Sequence, residues 1–253
     1  MRISRRIAPA LLVLLALQLS ARAGGTRERR PAKPVVRTPA AAAKFARVQR
    51  FEKKLPAMRK EVSQRLASPQ MDTATAVAAI VRIMDTTFMR VGSARFAARD
   101  SKPTHGASSL RKRQVKVQGD VVTFNFLGKT GVGGKRRRWR KTIRDPELAD
   151  AVRVFMRSPG DRLFATPRGA ITETQVRAFL RSYGGLPKDL RTHHANRRFD
   201  EIAAQLGPHS EKNLALTVKT VAAELEHEPA VSLRSYLDPL RIQRYRAAIP
   251  SAE

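Results

Sequence analysis

The sequence predicts an α+β domain that is mostly α, with one small three-stranded antiparallel sheet. Three observations predict it. Apolar residues recur at spacings of three or four through long stretches on either side of one short region. That short region alternates apolar and polar residues about a Gly-Asp turn. Caps and stops such as Asp-Pro, Thr-Glu-Thr-Gln and Gly-Gly bracket the periodic stretches. No internal repeat interrupts the pattern.

The elements follow in chain order. In FARVQRFEKKLPAMRKEVSQRLAS, Phe45, Val48, Phe51, Leu55, Met58, Val62 and Leu66 form an apolar stripe. Pro56 within it predicts a kink or a break, because proline removes a helix donor and crowds the preceding turn. Asp72-Thr73 reads as a cap for a buried helix carrying Val77, Ile80, Val81, Met84 and Phe88 toward Arg90. VKVQGDVVTFNF alternates on both sides of Gly119-Asp120 and predicts a hairpin, with Lys129 just after its second strand. A glycine-rich turn then leads into a third, very basic strand around Trp139. Asp145-Pro146 places a cap before a proline at the first helical position. Thr172 to Gln175 is a capping-box pattern, and that helix stops at Gly184-Gly185. Further helices are expected over Leu190 to Leu206 and Asn213 to Leu225, and a last helix carries Tyr236.

Residues 1–23 stand apart. A basic start, an almost wholly apolar run from Ile7 to Leu19 and Ala21-Arg22-Ala23 match a secretory signal peptide, and the run is short for a membrane span. Glu28 is the single acidic residue before Lys44, so an organelle presequence is a second reading, and a misplaced start a third. Residues 24–43 mix Gly, Pro, Ala and Arg without period and predict a flexible basic linker. The folded domain is expected over residues 44–253.

Composition narrows the chemistry. The chain has 253 residues, 42% of them hydrophobic, which is enough for a packed core. It carries 50 Lys and Arg against 21 Asp and Glu, a formal charge of +29. A surface so cationic seeks a polyanion, and nucleic acid is the obvious one. The absence of cysteine excludes disulfides, thiolate zinc sites and cysteine nucleophiles. No HExxH or carboxylate cluster supports a metal, so no cofactor is expected. From Lys129 to Arg144 there are eight basic residues and no acidic one. Lys135, Arg136, Arg137, Arg138, Arg140 and Lys141 are therefore candidates for phosphate contact, with Arg111 and Lys112 beside the sheet.

Arg90, Lys129, Arg191, His227 and Tyr236 occur in an order that suits phosphodiester chemistry. Displacement at phosphorus spreads negative charge over the non-bridging oxygens, and preorganised cations lower that barrier. The guanidinium forks of Arg90 and Arg191 match two phosphate oxygens, and His227 is a further donor. Cations around a tyrosine favour its phenolate as it attacks. Lys129 on a mobile hairpin can protonate the leaving 5′ oxygen. A phosphotyrosine conserves the bond energy, so neither ATP nor metal is required.

These residues sit in motifs that resemble the type IB DNA topoisomerases of the poxvirus and bacterial kind. MRVGSARF is similar to that family's Arg-x-Gly motif, and THGASSLRKRQVKVQGD to the segment that leads into its sheet. FLGKTG resembles the hairpin of its catalytic lysine, KDLRT its Lys-Asp-(Phe/Leu)-Arg-Thr, and VAAELEHEPAVSLRSYLDP its His…Tyr ending. The resemblance runs from about Lys44 to the C-terminus and leaves the family's β-rich N-terminal domain unmatched. It implies a tyrosine recombinase/topoisomerase IB-like catalytic domain, catalytic roles for Arg90, Lys129, Arg191, His227 and Tyr236, and assistance to proton transfer from Lys188. It also implies a 3′-phosphotyrosyl link at Tyr236, strand rotation and religation on double-stranded DNA, by a monomer, in the cytoplasm or nucleoid. Export or an organelle remains the alternative if the N-terminal segment is used. Four residues depart from the family pattern. They are Phe96 in place of a tyrosine, His105 in place of an aromatic or apolar residue, and His193 with His194 in place of an aromatic-small pair. The competing readings are a tyrosine recombinase or integrase, which would more typically show His-x-x-Arg at Lys188 to Arg191, and a non-catalytic basic DNA-binding protein.

Overall fold

The structure is a computed structural model that describes residues 38–98, 103–130 and 136–250, with only the backbone described at 129, 130, 136 and 137. The signal-like segment, most of the linker, the glycine-rich turn and Lys135 lie outside the described residues.

Among the described residues the first helix is α1 (Pro39–Glu52), which starts inside the stretch expected to be linker. The correction has a local cause. The Thr38 hydroxyl caps the helix by accepting from Ala41 N at 3.3 Å, Pro39 is pre-shaped for the first turn, and four alanines follow. Phe45, Val48 and Phe51 form its buried face. The expected interruption falls at Lys53-Lys54, so that Pro56 occupies the first turn of α2 (Leu55–Leu66), where proline breaks no hydrogen bond.

Next comes α3 (Thr73–Thr87), the central helix, capped by the Asp72 carboxylate accepting from Thr75 N at 2.7 Å. It is apolar almost all round because α2 and the later helices surround it. One turn of helix, α4 (Ala94–Ala97), follows. Strands β1 (Val115–Gln118), β2 (Val121–Thr130) and β3 (Arg136–Arg144) form an antiparallel sheet in sequence order. Its inner face carries Val122, Phe124 and Phe126 of β2 with Trp139 of β3. Phe126 pairs directly with Trp139, their rings stacked 5.7 Å apart. Lys129 was expected just beyond the second strand, but it lies within β2. Between Leu127 and Thr130 the register with β3 shifts, because β2 carries one extra residue there.

The helical remainder runs α5 (Pro146–Met156), α6 (Glu173–Ser182), α7 (Pro187–Gln205), α8 (Glu211–Glu224), α9 (Pro229–Ser235) and α10 (Pro239–Ala247). Between α5 and α6 lies a two-residue ribbon, β4 (Ala165–Thr166) with β5 (Gly169–Ala170), too short to leave a periodic signal. The expected caps are present. Asp145 accepts from Leu148 N at 3.0 Å, and Gln175 accepts from Thr172 N at 2.8 Å. Helix α7 begins at Pro187, three residues before the apolar pattern does, so Lys188 and Asp189 fall in its first turn. Tyr236 is not within the last helix. It is the residue that ends α9, and Asp238 and Pro239 then start α10.

Two apolar clusters make the core. One joins α2, α3, the sheet, α5 and α6, and reaches Leu190 of α7. The other joins Ala195 and Phe199 of α7 to α8, Tyr236 and α10. Arg191 therefore sits where α7 passes from one cluster to the other.

Candidate active site

Arg90 is placed by a crossing of two chain segments. After α3, Phe88 turns left-handed at φ 60°, and the chain runs past the segment 106–108. Ala107 N donates to Arg90 O at 2.9 Å and Ser108 N to Val91 O at 2.7 Å. The segments approach so closely that a Cβ at Gly106 would lie 2.6 Å from Arg90 O, and one at Gly92 2.8 Å from the Gly106 Cα. The Gly of the Arg-x-Gly motif is thus a matter of contact as much as of conformation, with Gly92 at φ 83°.

Arg191 projects from the second turn of α7 and is buried. One terminal nitrogen donates to the carbonyl of Phe88 and the other to that of Leu225 at 2.8 Å. Those two carbonyls flank the approaches to Arg90 and to His227. His227 follows Glu226, whose backbone is left-handed at φ 56°, and its own N–H returns to Ala222 O at 3.0 Å.

Tyr236 is buried, with its ring stacked on that of His227 at a centroid distance of 4.9 Å and 11° from parallel. The Arg191 guanidinium lies 5.4 Å from the Tyr236 ring centre and Lys188 Nζ 5.6 Å from it. Lys188 is exposed. Lys188 and Arg191 reach the same ring because residues three apart share a helix face. Asn196, further along α7, clamps the backbone just after the phenol's attachment. It donates to Tyr236 O at 2.9 Å and accepts from Asp238 N at 2.9 Å.

Electrostatics follow from this packing. Burial pushes the Tyr236 hydroxyl up, but the positive charges of Arg191, Arg90 and Lys188 outweigh it and hold the phenol below its ordinary value. Burial, with the neighbouring charge of Arg90, brings Arg191 down to about 10, while the negative charge of ionised Tyr236 works the other way. Each group thus favours the charged form of the other.

A cavity of about 30 Å³ opens beside the two arginines, lined by Arg90, Arg191, His105, Phe126 and Trp139 among others. Gly128 also borders it, which brings the backbone of β2 to the cavity one residue before Lys129. His105, where an aromatic or apolar residue was expected, is half-buried at the cavity wall. Its Nδ1 bonds Ser109 O at 3.0 Å, and burial lowers its basicity. The two unusual histidines of α7 are absorbed by carboxylates. His193 meets Glu52 at 2.9 Å and His194 meets Asp85 at 2.8 Å. Among the described residues no cluster of three or more His, Cys, Asp or Glu could hold a metal.

Of the phosphate-contact candidates, Arg138 and Arg140 are exposed on β3, and Lys141 is half-buried with its ammonium 5.6 Å from the Trp139 ring centre. Arg136 and Arg137 belong to β3 by backbone. Arg111 and Lys112 are engaged within the protein, with the Asp161 carboxylate and the Ser158 carbonyl. Sequence reasoning missed Asn196 and also Asp189, which is fully buried and receives Arg47 through two bonds of 2.7 and 2.9 Å. Their signal was polarity on the inner face of α7, in step with Thr192, a face that should have been apolar.

A mostly helical domain with a small antiparallel sheet and a tyrosine packed among cations defines a type IB topoisomerase-like catalytic fold. The chain belongs to the family described as eukaryotic DNA topoisomerase I, catalytic core, whose model matches residues 34–252. It is 28% identical over 225 residues to DNA topoisomerase 1B of Acanthamoeba polyphaga mimivirus, covering 80% of this chain and 64% of that one. It is 26% identical over 171 residues to DNA topoisomerase I of Monkeypox virus and to DNA topoisomerase 1B of Vaccinia virus (strain Copenhagen). Those matches cover 63% of this chain and 50% of each relative, so the chain spans about half to two thirds of the length of its curated relatives.

Proposed function

We propose that this chain is the catalytic domain of a type IB DNA topoisomerase that relaxes supercoiled double-stranded DNA without ATP or metal. The observation that carries this reading is the setting of Tyr236, a buried phenol favoured as phenolate by Arg191, Arg90 and Lys188. Tyr236 Oη attacks phosphorus, a new P–O bond forms, and the P–O5′ bond breaks. Arg90 and Arg191 take the charge of the non-bridging oxygens, and His227, packed on the tyrosine, is a further donor to them. Lys129 supplies the proton to the 5′ oxygen and Lys188 assists. Gly128, one residue before Lys129, borders the cavity beside Arg90 and Arg191, which supports that role. The free 5′ end rotates, and its hydroxyl then reverses the step. Exposed Arg138 and Arg140 carry β3 along the DNA backbone, largely without regard to sequence.

Relaxation of supercoiled plasmid in EDTA without ATP tests this, with Tyr236→Phe as the comparison. Relaxation by the unmodified chain alone is the expected result. Failure to relax, together with no tyrosine-dependent covalent adduct on a nicked substrate, overturns it.

A further inference from the structure

Helix α1 holds the two segments on which the site is built. Lys44 Nζ donates to the carbonyl of Ser235 at 2.8 Å, and Ser235 is the residue immediately before Tyr236. Three residues along the same face, Arg47 grips Asp189 through both carboxylate oxygens. Asp189 stands next to Lys188 and also accepts from Leu186 N at 3.0 Å, which fixes the start of α7. One face of one helix thus ties down the backbone of the tyrosine and the backbone of its arginine.

We propose that Lys44 is a positioning residue for the nucleophile, locking the Ser235 carbonyl so that the Tyr236 ring is presented to phosphorus from a fixed backbone. The proposal rests on the topoisomerase reading above. The Ser235 carbonyl belongs to the last residue of α9, directly before the phenol-bearing residue. An ammonium on that oxygen makes a charge-assisted bond, stronger than a neutral donor would, and holds the backbone from which the phenol projects.

Several charged groups face Lys44. Burial and the charge of Lys188 lower its pKa to about 8, with Arg47 acting the same way, while Asp189 and Asp238 oppose them. Lys44 is therefore mainly charged at neutral pH and loses its charge just above it. The neutral amine can still bond Ser235 O, but without the charge that strengthened the bond, so the hold on the backbone loosens. Above about pH 8 its help to cleavage fades, although the tyrosine itself ionises more readily.

Single-turnover cleavage of a nicked duplex, measured against pH for the full chain, Lys44→Arg and Lys44→Met, tests this. Lys44→Arg keeps a guanidinium that does not titrate in the working range. It is expected to cleave within about threefold of the unmodified chain at neutral pH and to lack the decline near pH 8. Lys44→Met is expected to cleave ~10-fold more slowly at neutral pH, with the decline also absent. Non-covalent affinity, measured in the Tyr236→Phe background, should stay within about twofold for both. An unchanged decline in Lys44→Arg overturns the proposal, even if Lys44→Met fails to fold. So does full activity of Lys44→Met, or a loss of affinity that matches the loss of cleavage. Absence of cleavage by the unmodified chain overturns the topoisomerase reading itself, and with it this proposal.

Discussion

Phe88 and Glu226 lie on either side of Arg191, and both adopt left-handed backbone, at φ 60° and 56°. Among the described residues they are the two non-glycine positions that do so. Each such residue carries about 1–2 kcal/mol of strain unless its surroundings hold it. Arg191 supplies part of that hold, through the carbonyls of Phe88 and of Leu225, the neighbour of Glu226.

Arg90 and Arg191 are consequently separable by mutation. Arg90→Ala should lower cleavage by ~100-fold or more while DNA affinity and melting temperature stay close to those of the unmodified chain. Arg191→Ala should lower cleavage as much and also destabilise, by about 2–4 kcal/mol, because two carbonyls are left unpaired in the interior. Denaturant titration beside a cleavage assay checks both. Loss of DNA binding in step with activity for Arg90→Ala would count against its place at the reacting phosphate.

Gly106→Ala tests the crossing that sets Arg90. The added methyl would stand 2.6 Å from Arg90 O and 2.5 Å from Gly92 N, both backbone atoms with little room to move. A loss of about 1–3 kcal/mol is expected, with reduced cleavage at temperatures where the variant is still folded. A thermal melt close to that of the unmodified chain would mean the two segments are not in contact.

Tyr236 should be more acidic than Tyr183. Tyr183 is pushed the other way, chiefly by its bond to the Glu61 carboxylate. The near-ultraviolet absorbance of the folded chain should therefore show an early phenolate step below the ordinary tyrosine range. Tyr236→Phe should remove that step and leave the later ones. Raised salt should weaken it by screening the arginines.

Asp85 links stability to pH. Burial pushes its carboxyl up, but bonds from His194 and Arg59 and their charges win, and hold it well below the ordinary carboxylate range. An acid depressed in the folded state adds stability above its unfolded value near ~4. That stability is lost as the pH falls toward the folded value. Asp85→Asn should therefore melt lower at neutral pH, by about 2–3 kcal/mol, and the difference should shrink on acidification. Because the His194 ring packs at a tilt against Phe88, with centroids 4.6 Å apart, cleavage should fall with it. A gap that persists undiminished well below pH ~4 would refute the assignment.

Arg138→Ala and Arg140→Ala remove exposed cations of β3. Each should weaken binding to unrelated duplexes alike and reduce the slope of log affinity against log salt by about 1. An effect confined to one DNA sequence would instead indicate base contact.

The periodic helices, their caps and the hairpin were legible because each is fixed by neighbours in sequence. Asp72, Asp145 and Gln175 cap where their spacing placed them. Tyr236 was harder. Its surroundings look helical, and its place at the end of α9 depends on Asn196 bonding the backbone from a distant helix. The bulge at Lys129 leaves no trace in alternation, since one extra residue only shifts the period. Lys44 and Arg47 were hidden for a different reason. In a chain with 50 Lys and Arg, no local pattern separates these two, which bond within the protein, from those that meet solvent.

Trp139 is the single tryptophan of the chain, and its ring borders the cavity between Arg90 and Arg191. The molecule therefore carries a built-in optical gauge at the place that matters. Its emission, undiluted by any other indole, reports whether that cavity is filled and whether the strand bearing Lys129 has moved. On the topoisomerase reading, docking, cleavage and release should each be visible in that emission on the unlabelled protein.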